Sequence, residues 1–118
     1  MGVSFKDLVV WQRAVELSVA VYEFTSTFED AERFGLSNQL RRASVSIASN
    51  IAEGYGRASK GEYLQFLGHA RGSNFEVQTQ LIIAKKLCFG ARQSFDRTNA
   101  LSDEVSKMLV AIMSKLKK

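Results

Sequence analysis

Two residue types that often carry catalysis or hold metals occur once each in this 118-residue chain, His69 and Cys88. One cysteine permits no intrachain disulfide and excludes a thiolate-rich zinc site. One histidine excludes a multi-histidine metal site built from one chain. His69 has no Cys, Ser or carboxylate partner at a spacing that marks a nucleophile and its base. Helical ribonucleases that place an arginine five to seven residues before the histidine are excluded too, because the last arginine before His69 is Arg57. No glycine-rich phosphate loop of the Walker or dinucleotide type is present. His69, on a mostly polar face, reads as a surface histidine. Cys88, on the core stripe of its helix, reads as a small buried hydrophobe. The expectation is a protein that is not an enzyme, with no catalytic residue, metal or cofactor.

Polar and charged side chains carry what chemistry remains. Arg42, Ser46, Ser49, Glu53 and Arg57 recur at spacings of three and four, the signature of one helix face. Asn50 lies within the adjoining apolar face. Ser73, Asn74, Glu76 and Gln80 are possible partners from the next helix. Arg42, Ser46, Asn50, Glu53, Ser73 and Glu76 are therefore expected to form a structural polar network that fixes helix register, with Arg42 and Glu76 shared across it.

Charge points to a polyanion. The chain carries 16 Lys+Arg against 12 Asp+Glu, a net charge of +4, with a pI near 9.4. Residues 1–34 hold 3 basic and 6 acidic groups, whereas residues 35–92 hold 8 basic and 3 acidic. An acidic start and a basic middle suit nucleic-acid phosphates. The candidate contacts are Arg41, Arg57, Lys60, Arg71, Lys85, Lys86 and Arg92. Tyr55 and Phe89 are candidates for stacking on unpaired bases. Nothing resembles a base-reading motif, so contact would be with the backbone.

Helices must position these groups. The composition, 46% hydrophobic and 24% charged, is that of a globular chain, and its length fits one domain over residues 1–118. The absence of proline favours long uninterrupted helices. Apolar residues recur at helical spacing in four segments. The first runs from about Asp7, a plausible N-cap, to Thr25, with Val10, Ala14, Leu17, Val21 and Phe24 inward and Trp11, Val15 and Tyr22 widening the stripe. An acidic patch, Glu29-Asp30-Ala31-Glu32, leads to Gly35. The second runs from Leu36 or Ser37 to Tyr55 and ends at Gly54 and Gly56. The third runs from Ser59, which with Glu62 forms a capping box, to Cys88. Gly68 and Gly72 inside it cost about 1 kcal/mol each against alanine, which implies close backbone packing. The fourth runs from about Ser94 to Leu116. Short connections make this an all-α, antiparallel up-down-up-down four-helix bundle.

The third helix has a second apolar stripe. Leu64, Phe75, Ile82 and Phe89 lie within about 40° of one another and about 100–120° from the main stripe. A four-helix monomer needs one broad apolar face per helix, so the second reads as an oligomer interface. No apolar run approaches the roughly 18 residues of a membrane span. No basic-then-apolar leader opens the chain. A cytoplasmic protein without a membrane partner is expected.

The run Gln39-Leu40-Arg41-Arg42-Ala43, continued by Ser46-Ile47-Ala48-Ser49-Asn50-Ile51-Ala52-Glu53-Gly54, closely resembles the signature of four-helix-bundle proteins encoded in intervening sequences of bacterial large-subunit ribosomal RNA genes. Phe5-Lys6-Asp7-Leu8, Val10-Trp11, Phe34-Gly35-Leu36, Glu62 through Leu67, and Ala70-Arg71-Gly72-Ser73 with Glu76 extend the match over nearly the whole chain. Ala48 departs from it, standing where many relatives have proline. The resemblance implies an all-α bundle and, as in several relatives, a homopentamer. The chain is also similar to the accessory variability determinants of diversity-generating retroelements, basic pentameric bundles that work with a reverse transcriptase and nucleic acid. Expected partners are thus further copies of the chain, RNA or DNA, and a reverse transcriptase or other protein. The resemblance carries no settled molecular activity. A protein-interaction scaffold without nucleic-acid binding is the alternative.

Overall fold

Ser4 caps a short 3-10 turn, Phe5–Asp7, in which Asp7 accepts the Ser4 backbone N–H at 3.2 Å. Asp7 is thus not the N-cap of the first long helix. That helix, α1, is Val9–Thr25 and starts after Leu8, with no side-chain cap. Phe5 staples the entry, stacking edge-on against Trp11 at 5.2 Å. The computed structural model describes residues 4–29 and 35–118. Most of the acidic patch at 29–32, and Phe34, lie outside the described residues.

Three more helices follow: α2, Leu36–Tyr55; α3, Lys60–Lys86; and α4, Arg92–Lys117. All of the regular structure among the described residues is helical. Side-chain contacts establish the directions. Ser18 meets Ser44, and Thr25 meets Arg41, so α1 and α2 run antiparallel. Ser46 meets Ser73 while Gly54 meets Phe66, which sets α2 against α3. Asn74 meets Ser102 and Lys85 meets Phe95, which sets α3 against α4. Arg13 meets Glu104 and Ala20 meets Thr98, closing α4 onto α1. Each helix therefore packs on two neighbours, and α1 lies diagonally across from α3.

The core is built largely from residues at helical spacing, with Leu67 and Phe95 added by the packing. Val10, Ala14, Leu17, Val21 and Phe24 of α1 meet Leu40, Ala43, Ile47 and Ile51 of α2. Leu67, Ala70, Val77, Leu81 and Ala84 of α3, with Phe95, Val105 and Leu109 of α4, complete it. Burying side chains of this size stabilises the fold by about 1.5–3 kcal/mol each. Trp11 and Val15 stand half-buried at the edge and Tyr22 is exposed, so they border the core rather than widen it.

Close approach is sharpest between α2 and α3. Gly54 is buried, and a Cβ there would stand 2.5 Å from the Cβ of Phe66. The glycines inside α3 behave differently. A Cβ at Gly68 or Gly72 would meet nothing within 4 Å, so packing inside this chain does not explain them.

The third helix ends before the stripe suggests. Lys86 is its last residue, and Cys88 takes the left-handed conformation at φ 59°, with Gly90 at φ 78°. Cys88 is consequently exposed, not a buried hydrophobe. Phe89 leaves the second stripe and turns onto Phe28, with ring centroids 5.6 Å apart, at the edge of the core.

Candidate functional site

The polar seam of α2 faces α3 across an open cleft of about 310 Å³ lined by Gln39, Arg42, Ala43, Ser46, Glu76 and Gln80. Ser46 is its junction. The Ser73 hydroxyl donates to Ser46 Oγ at 2.9 Å, and Asn50 Nδ2 donates to the Ser46 carbonyl at 2.8 Å and to its Oγ at 3.0 Å. Glu53 lies farther along the helix and accepts from Arg57 Nη2 at 2.9 Å. Arg42 and Glu76 line the cleft but are both exposed. Among the described residues, no hydrogen bond or ion pair joins them to each other or to the network. This corrects the expectation of a shared Arg42–Glu76 contact: the two lie on facing helices, but on the solvent side of the seam. Gln80 also lines the cleft, and its Oε1 atom is buried without a hydrogen-bond partner among the described residues.

Asn74 turns to the other side of α3. Its Nδ2 donates to the Ser102 carbonyl at 3.0 Å, and the Ser102 hydroxyl donates back to Asn74 Oδ1 at 2.8 Å. Both residues are buried. Sequence reasoning had set Asn74 toward α2 and missed Ser102. The available signal was a polar residue on the inward stripe of α4, in register with Val105 and Leu109.

The seven basic candidates divide. Arg41 is half-buried and tied down: its Nε donates to Thr25 Oγ1 at 2.8 Å, and its guanidinium lies 4.7 Å from the Tyr22 ring centroid. Arg57 pairs with Glu53 and covers the Phe66 ring. Arg92 pairs with Asp96 at 3.4 Å. Lys60, Arg71, Lys85 and Lys86 are exposed and carry no ion pair among the described residues. All four belong to α3. Lys60, Arg71 and Lys85 fall within about 40° of one another by helical register. They lie on the border of α3 that faces α4, as the contact of Lys85 with Phe95 shows. At about 1.5 Å per residue, this border runs about 37 Å. Its far end opens on a cleft of about 220 Å³ lined by Lys85, Cys88, Phe89, Gly90, Arg92 and Phe95. Of the stacking candidates, Phe89 shows one edge there, while Tyr55 packs edge-on against Tyr63 at 5.8 Å.

Elsewhere the electrostatics are structural. Arg13 bonds Glu16 at 2.6 Å and Glu104 at 3.1 Å, tying α1 to α4. The hydrogen bond that Arg13 donates to Glu16, then the charge of Glu104, raise the Arg13 guanidinium above its ordinary range. Burial first, and the neighbouring Tyr55 second, push the Tyr63 phenol above its ordinary range. Among the described residues there is no cluster of three His, Cys, Asp or Glu side chains. None of the described helices is long and apolar enough to cross a membrane.

Two apolar surfaces remain uncovered. On α3, Phe75 is 46% exposed and Ile82 56%, with Ile83 beside them, while Leu64 is half-buried. Between α1 and α2, a groove of about 360 Å³ is lined by Trp11, Val15, Val19, Val45, Ala48 and Ala52, with Ser18 and Ser49.

No curated protein matches the chain. A crystal structure of a protein of unknown function from the S23 ribosomal protein family of Bacteroides thetaiotaomicron is similar to it, with a TM-score of 0.79 and 25% identity. The match covers 89% of this chain and 98% of that one. The same four helices thus recur in a protein whose sequence differs at most positions. The family model described as 23S rRNA-intervening sequence protein matches residues 6–111, from the 3-10 turn to the last turns of α4. With that span covered, the chain belongs to the 23S rRNA-intervening sequence protein family.

Proposed function

We propose that this protein is a non-enzymatic, self-associating helical bundle that binds the phosphates of RNA or DNA along the basic border of α3. The observation that carries the proposal is the placement of Lys60, Arg71 and Lys85 on one border, exposed and free of ion pairs among the described residues. Phosphate contacts made by side chains spread over about 37 Å favour an extended polyanion over a small anion. The site contains no base-reading element, so recognition rests on charge and on strand shape. Arg92 extends the border at its end, Lys86 lies about 100° around the helix from Lys85 and off it, and Arg57 and Arg41 serve packing first.

Self-association multiplies this field. The homopentamer comes from the family resemblance, and five copies would raise a net charge of +4 per chain to about +20 per ring. A filter-binding titration with single-stranded and duplex RNA and DNA at two salt concentrations tests the reading. Binding to all of them alike, steeply weaker at the higher salt, is the expected result. Absence of binding at low salt would refute nucleic-acid binding and leave the protein-interaction scaffold.

A further inference from the structure

The two uncovered apolar surfaces have opposite shapes. On α3, Phe75, Ile82 and Ile83 form a ridge, and the helix is bare of side chains beside it at Gly68 and Gly72. Among the described residues, nothing would come within 4 Å of a Cβ added at those glycines, yet each costs about 1 kcal/mol against alanine in a helix interior. A neighbour seated on this face would explain both the exposed apolar side chains and the missing Cβ atoms. The surface between α1 and α2 is a groove. Trp11, Val15 and Val19 form one wall, and Val45, Ala48 and Ala52 the other. Val19 is 51% exposed and Val45 44%.

Charge matches across the two. The segment α1 carries one basic and two acidic groups, and α3 carries four basic and two acidic. Glu23, one turn beyond Val19, is exposed and unpaired among the described residues. Lys86, one turn beyond Ile82 and Ile83, is exposed and unpaired in the same way.

We infer that the α3 ridge of one copy seats in the α1–α2 groove of the next. This rests on the self-association reading above and specifies its contact. Because α1 and α3 occupy diagonal corners of the bundle, one chain cannot close its own ridge into its own groove. The contact is heterologous, each copy giving a ridge and receiving one, and a heterologous contact repeated around an axis closes into a ring. It also leaves Lys60 and Lys85, on the α4-facing border of α3, beside the seam, with Arg71, whose guanidinium lies 5.1 Å from the Phe75 ring centroid, at its edge.

Two variants test the geometry. Phe75→Asp with Ile82→Asp spoils the ridge, and Val19→Asp with Val45→Asp spoils the groove. All four positions are solvent-exposed in the single chain, so each variant keeps its helices, as circular dichroism would verify. Light scattering on wild type gives a mass of several chains, and each variant alone gives 13.1 kDa. Mixed in equal amounts, they form a species of twice that mass, since one intact ridge meets one intact groove and no further contact is possible. A groove variant that stays fully assembled would overturn the inference while leaving self-association intact. So would a mixture that stays at one chain. A wild-type mass of one chain would overturn both.

Discussion

Replacing Gly54 with alanine probes the closest approach in the molecule. The added Cβ would stand 2.5 Å from Phe66 Cβ, 3.2 Å from Tyr63 Cδ1 and 3.4 Å from Phe66 Cγ. A contact with another Cβ cannot be relieved by a rotamer change, because both atoms are fixed to their helix backbones. One helix must therefore shift, which costs about 1–3 kcal/mol in a well-packed core. The helix-propensity gain of alanine over glycine is at most about 1 kcal/mol, and less here, since Gly54 is next to the last residue of α2. The net expectation is a loss of about 1–2 kcal/mol in urea unfolding. For a domain of this size it lowers Tm by about 4–8 °C. Gly56→Ala is the control. Its Cβ would meet only backbone oxygens at 3.6 and 3.9 Å, and its stability should match wild type. If Gly54→Ala proved as stable as Gly56→Ala, the close packing of α2 on α3 would be wrong.

Other substitutions follow from the same geometry. Arg42→Ala and Glu76→Ala should each change stability by less than about 0.5 kcal/mol, because both are exposed and, among the described residues, unpaired; a loss of several kcal/mol in denaturant melts would reinstate a buried pair. Asn74→Ala should cost about 1–3 kcal/mol, because it leaves the buried Ser102 hydroxyl without its acceptor; an unaltered melt would contradict that account. Tyr63 has a raised folded-state pKa, so the folded chain holds its proton more tightly than the unfolded one. Its contribution is constant below the ordinary value of 10.0 and is lost as pH rises above it. Wild type should therefore lose more stability than Tyr63→Phe between pH 9 and about pH 11.5, and parallel profiles for the two would refute the burial argument.

Periodicity and caps made most of the architecture legible. The stripe of α1 and the cap at Ser59 are local patterns with local causes. Ser59 Oγ does accept the Glu62 N–H at 3.1 Å, though Glu62 takes the Ser59 hydroxyl rather than its backbone. The misreadings share a cause, which is that a helical wheel does not know where its helix stops or how deep a face lies. Cys88 and Phe89 were assigned by extending the α3 wheel past Lys86, whereas the left-handed turn at Cys88 resets both directions. Arg42 and Glu76 sit at the angles that suggested a network, but angle alone does not separate a cleft wall from a contact. Gly68 and Gly72 suggest close packing, and the described residues supply no partner for it. Among the basic residues, no spacing rule distinguished Arg41, bound to Thr25, from Lys60, which is free.

The central claim is that the α3 border binds phosphates by charge. It is tested most directly by the salt dependence of RNA affinity for wild type and for Lys60→Glu, Arg71→Glu and Lys85→Glu combined. Losing three phosphate contacts should flatten the log–log salt slope by about 2 on single strands and weaken all sequences alike. With helicity and assembly unchanged, an unaltered slope and affinity would contradict the claim.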